Sequence, residues 1–121
     1  MDELILAFDP AEDTLMLSNS ILELLEHPEY IQLSLDEGNC LLLIRACGKE
    51  EEQAVVLEPG MQEISGRNVM KKVRQLLRWD DNSPRLAYGV LLHTYNAVLF
   101  DLRDMEPAAI DKEGTVWTGN A

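Results

Sequence analysis

Side chains suited to catalysis or metal binding are few in this chain of 121 residues. His27 and His93 are the two histidines, and neither has a second ligand at the helical spacing that metal sites use. No Gly-x-Ser-x-Gly nucleophile motif and no lysine-containing phosphate loop occurs. Carboxylates are plentiful, but Asp80-Asp81 is typical of a helix stop. The sequence therefore predicts a protein that is not an enzyme and has no metal or cofactor.

Two cysteines are the remaining chemically reactive side chains. Cys40 and Cys47 are seven residues apart in a predicted hairpin arm, a spacing that sends their side chains to opposite faces. We expect two reduced thiols instead of a disulfide or a paired metal site, which favours the cytoplasm. No uncharged stretch approaches the roughly 18 residues of a membrane span, so no membrane association is predicted.

A group of cations stands out against an acidic composition of 22 Asp and Glu and 10 Lys and Arg, a net charge of −12. Between Arg67 and Arg78 there are five cations and no acid. At about 100° per residue, four of them fall on one stripe of a helix: Arg67, Lys71, Arg74 and Arg78. Such a stripe suits either the phosphates of a nucleic acid or acids of this chain or of a protein partner.

The acidic excess is confined to one part of the chain. Residues 1–60 contain fourteen acids and two bases, whereas residues 61–121 contain eight of each. The net negative charge of the chain repels phosphates, so a protein that binds nucleic acids or anionic membranes through a uniformly basic surface is excluded. A polarised binder with one basic face is still compatible with this distribution.

Two segments of the chain have the same order of predicted elements. Each begins with a strand that an acid and a proline close, Asp9-Pro10 in the first and Glu58-Pro59 in the second. A second short strand, a helix and a hairpin follow in both. The offset between matching positions is 49 in the first strands, 47 before the helices and 57 in the hairpins. We interpret this pattern as two β-β-α-β-β repeats, over about residues 1–47 and 54–104.

The helix limits follow from local signals. Ser20 and Glu23 form a capping-box pattern that predicts the start of a short helix, which Pro28 ends. The second helix is predicted to run from Ser65 to about Trp79, with Trp79 as an apolar plug at its end.

Together these elements predict a β-rich α+β fold, a barrel-like domain with pseudo-two-fold symmetry over residues 1–104. Since both repeats are in one chain, a monomer can close the barrel, although a homodimer is equally compatible. Residues 105–121 lack periodicity and are predicted to form a loosely ordered tail that Val116-Trp117 anchors in part.

The segment from Thr14 to Ala46 resembles the AbrB/SpoVT/MazE group of swapped-hairpin domains. It reads Thr-Leu-Met-Leu-Ser, then a short helix, then a hairpin that ends Leu-Leu-Leu-Ile-Arg. Two copies over about residues 3–104 are most similar to the MraZ family, which has tandem half-barrels. The chain also resembles, more loosely, small uncharacterised proteins from mobile elements of Gram-positive bacteria.

The resemblance implies a regulator or antitoxin that binds double-stranded DNA and whose barrel consists of two interlocked halves. In those families, arginines before the second strand and early in the helix contact DNA. The matching positions of the first repeat are about Thr14, Leu22 and Glu23, which carry no cation. In the second repeat the strand position is about Met61, and only the helix is basic.

Two functions are compatible with these residues. The first is a small cytoplasmic transcription regulator of AbrB/MraZ-like type that contacts double-stranded DNA through the basic helix. The alternative is an acidic interaction or antitoxin-like module that binds a basic protein partner and no DNA.

Overall fold

The computed structural model describes residues 3–58, 60, 62–110 and 116–118. The strands in this part of the chain are β1 (Ile5–Asp9), β2 (Thr14–Leu17), β3 (Tyr30–Asp36), β4 (Leu41–Cys47), β5 (Val55–Val56), β6 (Glu63–Ser65), β7 (Arg85–Leu92), β8 (Ala97–Asp101), β9 (Glu106–Ile110) and β10 (Val116–Thr118). The helices are α1 (Asn19–Leu24) and α2 (Arg67–Leu77), with 3₁₀ turns at His93–Tyr95 and Leu102–Asp104.

Eight antiparallel strands form a nearly closed barrel in the order β5-β3-β4-β8-β7-β1-β2-β6. With two helices added to these strands, the prediction of a β-rich, barrel-like α+β fold is confirmed. Alternate strand residues point into the barrel. The largest fully buried strand residues of its main core cluster are Leu6, Phe8, Leu15, Leu17, Ile31, Leu42, Ile44 and Phe100. A second, smaller cluster consists of Ala7, Met16 and Leu86.

Strands from early and late in the chain are paired with each other. β1 lies beside β7, where Leu6 is opposite Ala87. β5 lies beside β3, where Val55 is opposite Ile31. The β2–β6 and β4–β8 ladders also join the early part of the chain to the late part. The barrel therefore depends on pairings between the two segments that the sequence analysis separates.

The two hairpins have the same register. The β3–β4 ladder closes at Asp36 and Leu41, and the β7–β8 ladder closes at Leu92 and Ala97. In both turns the residue before the returning strand has a left-handed backbone. Ala97 therefore matches Leu41, whereas the alignment of the sequence matches it to the preceding residue, Cys40.

The start of α1 differs from the capping-box prediction, which is wrong. α1 begins at Asn19, its N-cap is Ser18, and no side chain caps it. The serine hydroxyls bind elsewhere: the Ser18 hydroxyl accepts the Ile5 N–H at 3.0 Å, and the Ser20 hydroxyl donates to the Glu3 carbonyl. The hydroxyls of Ser18 and Ser20 therefore hydrogen-bond to the backbone at and just before β1 and do not cap α1.

α2 begins at Arg67, two residues later than predicted. Ser65 is the last residue of β6 and is paired with Thr14 of β2, so it is in the sheet. Gly66 is the N-cap, and its N–H donates to the Asp13 carbonyl at 3.0 Å. The β2–β6 ladder thus determines where the helix starts.

Part of the segment predicted to be a loose tail is in strands. After the 3₁₀ turn at Leu102–Asp104, β9 pairs with the start of β7, with Glu106 opposite Leu86, and β10 pairs with β9. β8 pairs with Gly89–Leu92 of β7, so the start of β7 is available to β9. Residues 111–115 and 119–121 lie outside the described part of the chain, as do Pro59 and Met61.

Within the described residues, no helix is long and apolar enough to cross a membrane.

Gly89 lies where β7 passes from β1 to β8, and we expect Gly89→Ala to destabilise the protein. A Cβ at this position would be 2.5 Å from Val98 Cγ1 and 2.7 Å from Phe100 Cε1, and both neighbours are fully buried. Overpacking of this kind costs about 1–3 kcal/mol. Urea unfolding measures the loss. Gly38→Ala is the control, because its nearest contact is 3.6 Å away, and an equal loss there would contradict the expectation.

Candidate nucleic-acid interface

The apolar side of α2 determines which of its residues face outward. Met70 and Val73 are buried in the core, and Val69 and Leu77 pack against its edge. Because residues three and four apart lie on the same face of a helix, the cations between them project away from the barrel. The apolar residues of α2 thus recur at the helical period on the side that packs against the core.

The structure brings three of the four predicted site residues together. Arg67, Lys71 and Arg74 line a shallow concavity of about 470 Å³. Its other lining residues are Asp13, Met70, Gln75, Trp79 and Asp80. Arg78 is not among them. It is the C-cap of α2 with a left-handed backbone (φ 52°), so the helical stripe ends before it.

Arg74 is committed to the loop that follows α2. Its Nε donates to the Trp79 carbonyl at 3.1 Å, and its Nη2 donates to the carbonyls of Asp80 and Asp81 at 3.1 and 2.9 Å. A guanidinium group has five N–H donors in a rigid plane, which suits several carbonyls at once. Arg74 therefore stabilises the end of α2, and its charge is less available to a ligand than a helical projection implies.

Trp79 is the apolar plug that the sequence predicts. Its side chain is 2% exposed and meets Phe8 edge to face, with ring centroids 6.2 Å apart. The Arg85 guanidinium lies over the indole at 4.6 Å, and the indole Nε1 donates to Asp81 Oδ1 at 3.1 Å. Sequence analysis missed Arg85 and Asp81 as partners of Trp79, since neither stands in a helical pattern with it.

Arg67 pairs with an acid from the acidic part of the chain. Its Nε is 3.6 Å from Asp13 Oδ2, in the turn between β1 and β2. Both side chains are largely open to solvent, at 82% and 42% exposure. Exposed pairs of this kind contribute little to stability, about 0–1 kcal/mol, so Arg67 can exchange Asp13 for another anion.

Four cations of the α2 region are exposed: Arg67, Lys71, Lys72 and Arg78. Within the described residues, Arg67 alone among them has an ion-pair partner. Asn68 and Gln75 are also exposed on this helix, and both can hydrogen-bond to phosphate oxygens. These six residues define the basic surface of α2, a positive region on an acidic protein in which Arg67 alone is paired with a described acid.

The other chemically capable residues do not converge on a site. His27 and His93 are both exposed. Cys40, in the β3–β4 turn, and Cys47, at the end of β4, are free thiols. No group of three or more metal-binding side chains occurs in the described part of the chain.

Comparison with protein-family models, curated proteins and solved structures finds no match to this chain.

We expect Arg74→Ala to lower stability by about 1–3 kcal/mol, because charged hydrogen bonds to three carbonyls are lost. Arg74→Lys should restore only part of the loss, since a lysine cannot reproduce the planar donor arrangement. Urea unfolding followed by tryptophan fluorescence measures both. Lys72→Ala is the control on the same helix, where the side chain is exposed. Equal effects at the two positions would contradict the structural role of Arg74.

Asp81 should make the stability sensitive to acid. Hydrogen bonds from Ser83, and then from the Trp79 indole, hold the pKa of the Asp81 carboxyl below its usual value of 3.8. A lowered folded-state pKa stabilises the protein above the unfolded value, and this contribution is lost as the pH falls through the folded value. Asp81→Asn should therefore lower the melting temperature at neutral pH and lose this difference well below pH 3.8. Thermal melts across this range test it, with Asp80→Asn as the neighbouring control.

Proposed function

We propose that this chain is a small, non-enzymatic cytoplasmic regulatory protein of AbrB/MraZ-like duplicated architecture. In this proposal, the exposed cations of α2 bind the phosphates of double-stranded DNA. The exchange of first strands, β1 onto β7 and β5 onto β3, is the observation that most supports the architecture.

The strand pairings support two interlocked halves. Exchanging β1 with β5, β2 with β6, β3 with β7 and β4 with β8 reproduces every ladder of the barrel except β1–β2. The registers agree as well. Because the hairpin register matches Ala87 to Ile31, their ladder partners Leu6 and Val55 must also match. The acid-proline alignment of the sequence matches the same two residues. One chain supplies both halves, which supports a monomer.

The basic surface of α2 supports DNA as the ligand. α2 has 11 residues and is about 16 Å long, so its exposed cations can reach several consecutive phosphates. The acids elsewhere repel DNA, so the field of the molecule would orient this surface toward the duplex. Contacts of this kind carry little sequence information, and the proposal therefore covers the backbone and not a base sequence.

A second function has its own supporting observation. All described acids of residues 1–60 are exposed except Asp9 and Asp13. Of the acids in this part of the described chain, Asp13 and Glu51 alone form ion pairs. Such an uncompensated negative surface suits an interaction module that binds a basic protein partner and no DNA.

Lys71→Glu should weaken DNA binding by at least about fivefold, because it removes one phosphate contact and adds repulsion. The measurement is fluorescence anisotropy with a labelled mixed-sequence duplex of about 20 base pairs, at several salt concentrations from about 50 mM. Asp13→Asn should strengthen binding, since it frees Arg67 from its competing carboxylate. Lys49→Glu is the matched control, with the same charge change on the exposed loop between β4 and β5.

Two results would contradict the DNA proposal. One is the absence of binding at low salt by a protein whose fold is intact. The other is an equal loss in Lys71→Glu and Lys49→Glu, which would reflect total charge and not the α2 surface. Arg74 is unsuitable for this test, because its substitution also removes the hydrogen bonds that hold the end of α2.

A further inference from the structure

The two halves of the barrel differ at one place, where the first half has a strand ladder and the second half has none in the described residues. In the first half, β1 and β2 form a ladder that pairs Phe8 with Leu15. The corresponding strands of the second half, β5 and β6, share no ladder in the described residues. Ala7 of β1 is fully buried in a cluster with Met16 of β2 and Leu86 of β7, against which Ala108 of β9 packs. Val56, at the matching position of β5, is 55% exposed.

A groove lies at the end of β5, on the side where this strand meets β3. It has a volume of about 450 Å³ and runs between the end of α1, the start of β3 and the end of β5. Its apolar lining consists of Leu22, Pro28, Tyr30, Val56 and Leu57. The Leu57 N–H donates to the Glu29 carbonyl at 2.8 Å, so β5 is held against the start of β3 beneath the groove.

The charges around the groove are negative. Glu29 and Glu58 both line it and are both exposed. Neither forms an ion pair with another described residue, and no lysine or arginine is among the lining residues. The other ionisable residues that line the groove are His27 and Tyr30. A ligand that fits this groove must combine apolar side chains with positive charge.

We propose that this groove binds an extended segment of a protein partner in which apolar and basic residues alternate. Its backbone pairs with the edge of β5 that forms no ladder in the described residues, as peptides add to exposed sheet edges. Its apolar side chains contact Val56 and Tyr30, and its lysines or arginines contact Glu29 and Glu58. The groove gives the acidic-module function a location, and it does not depend on DNA binding by α2.

The test uses the full-length protein and a fluorescein-labelled, end-blocked peptide of seven residues with alternating valine and lysine. We expect saturable binding in fluorescence anisotropy, with amide shifts at Val56 and Leu57 in ¹⁵N–¹H spectra. Glu58→Lys should weaken binding at least about tenfold. Glu37→Lys, with the same charge change on the exposed β3–β4 turn, should leave it within about twofold. Peptides with serine in place of valine, or glutamate in place of lysine, should not bind.

Several outcomes would overturn the proposal. Equal losses in Glu58→Lys and Glu37→Lys, or equal binding of the serine peptide, would mean attraction by total charge alone. Amide shifts at Val56 and Leu57 that depend on the concentration of protein alone would assign the groove to a second copy of the chain. Because Lys71→Glu leaves the groove unchanged, its effect on DNA and the effect of Glu58→Lys on the peptide test the two surfaces separately.

Discussion

The pairing of β1 with β7 is the constraint on which the remaining structure depends. Leu6 and Ala87 are opposite each other across this ladder, although β1 is the first strand and β7 follows both helices. Bringing such distant parts of the chain together costs much chain entropy. This cost has to be offset by the apolar side chains that the closed barrel buries. Leu6 and Phe8 supply that burial from β1. The pairing of β5 with β3 joins strands that are much closer in the chain, and it is only two residues long. It therefore costs less chain entropy than the β1–β7 pairing and forms a shorter ladder.

The end of α2 is tied to this same ladder. Phe8 and Arg85 are ladder partners, and the indole of Trp79 contacts both: the Phe8 and Trp79 rings meet edge to face, and the Arg85 guanidinium lies over the indole. Arg74 donates hydrogen bonds to the carbonyls of Trp79 and of the two residues that follow it, and so fixes the loop at the end of α2. The basic helix is therefore anchored at its last turn by the core. Arg74 forms part of this anchor and is therefore less available to a ligand. The other cations of the predicted stripe stay exposed on a helix whose end is held in place.

The sequence predicts the local parts of this arrangement better than the contacts between them. Alternation from Tyr30 to Leu35 identifies the first hairpin, and the helical period identifies the buried side of α2 around Met70 and Val73. The α1 cap could not be predicted, because the hydroxyls of Ser18 and Ser20 bind the first strand. The role of Arg74 was equally inaccessible, since a helical projection describes neighbours on the helix and not a loop that folds back on it. The apolar run of β1 likewise indicates a buried strand but not that β7 is its partner.

On the proposed duplication, matching positions of the two halves form two different surfaces. On the proposed duplication, the shared register of the hairpins places Pro28 with Pro84 and Glu29 with Arg85. Arg85 lies over Trp79 and covers the core, whereas Glu29 is exposed at the groove beside β5. The net charge of −12 is thus the sum of −12 from residues 1–60 and zero from residues 61–121, although the second segment carries the basic helix. Because a charge at this position either covers the core or faces solvent, the halves can diverge in binding while the ladders that join them are retained.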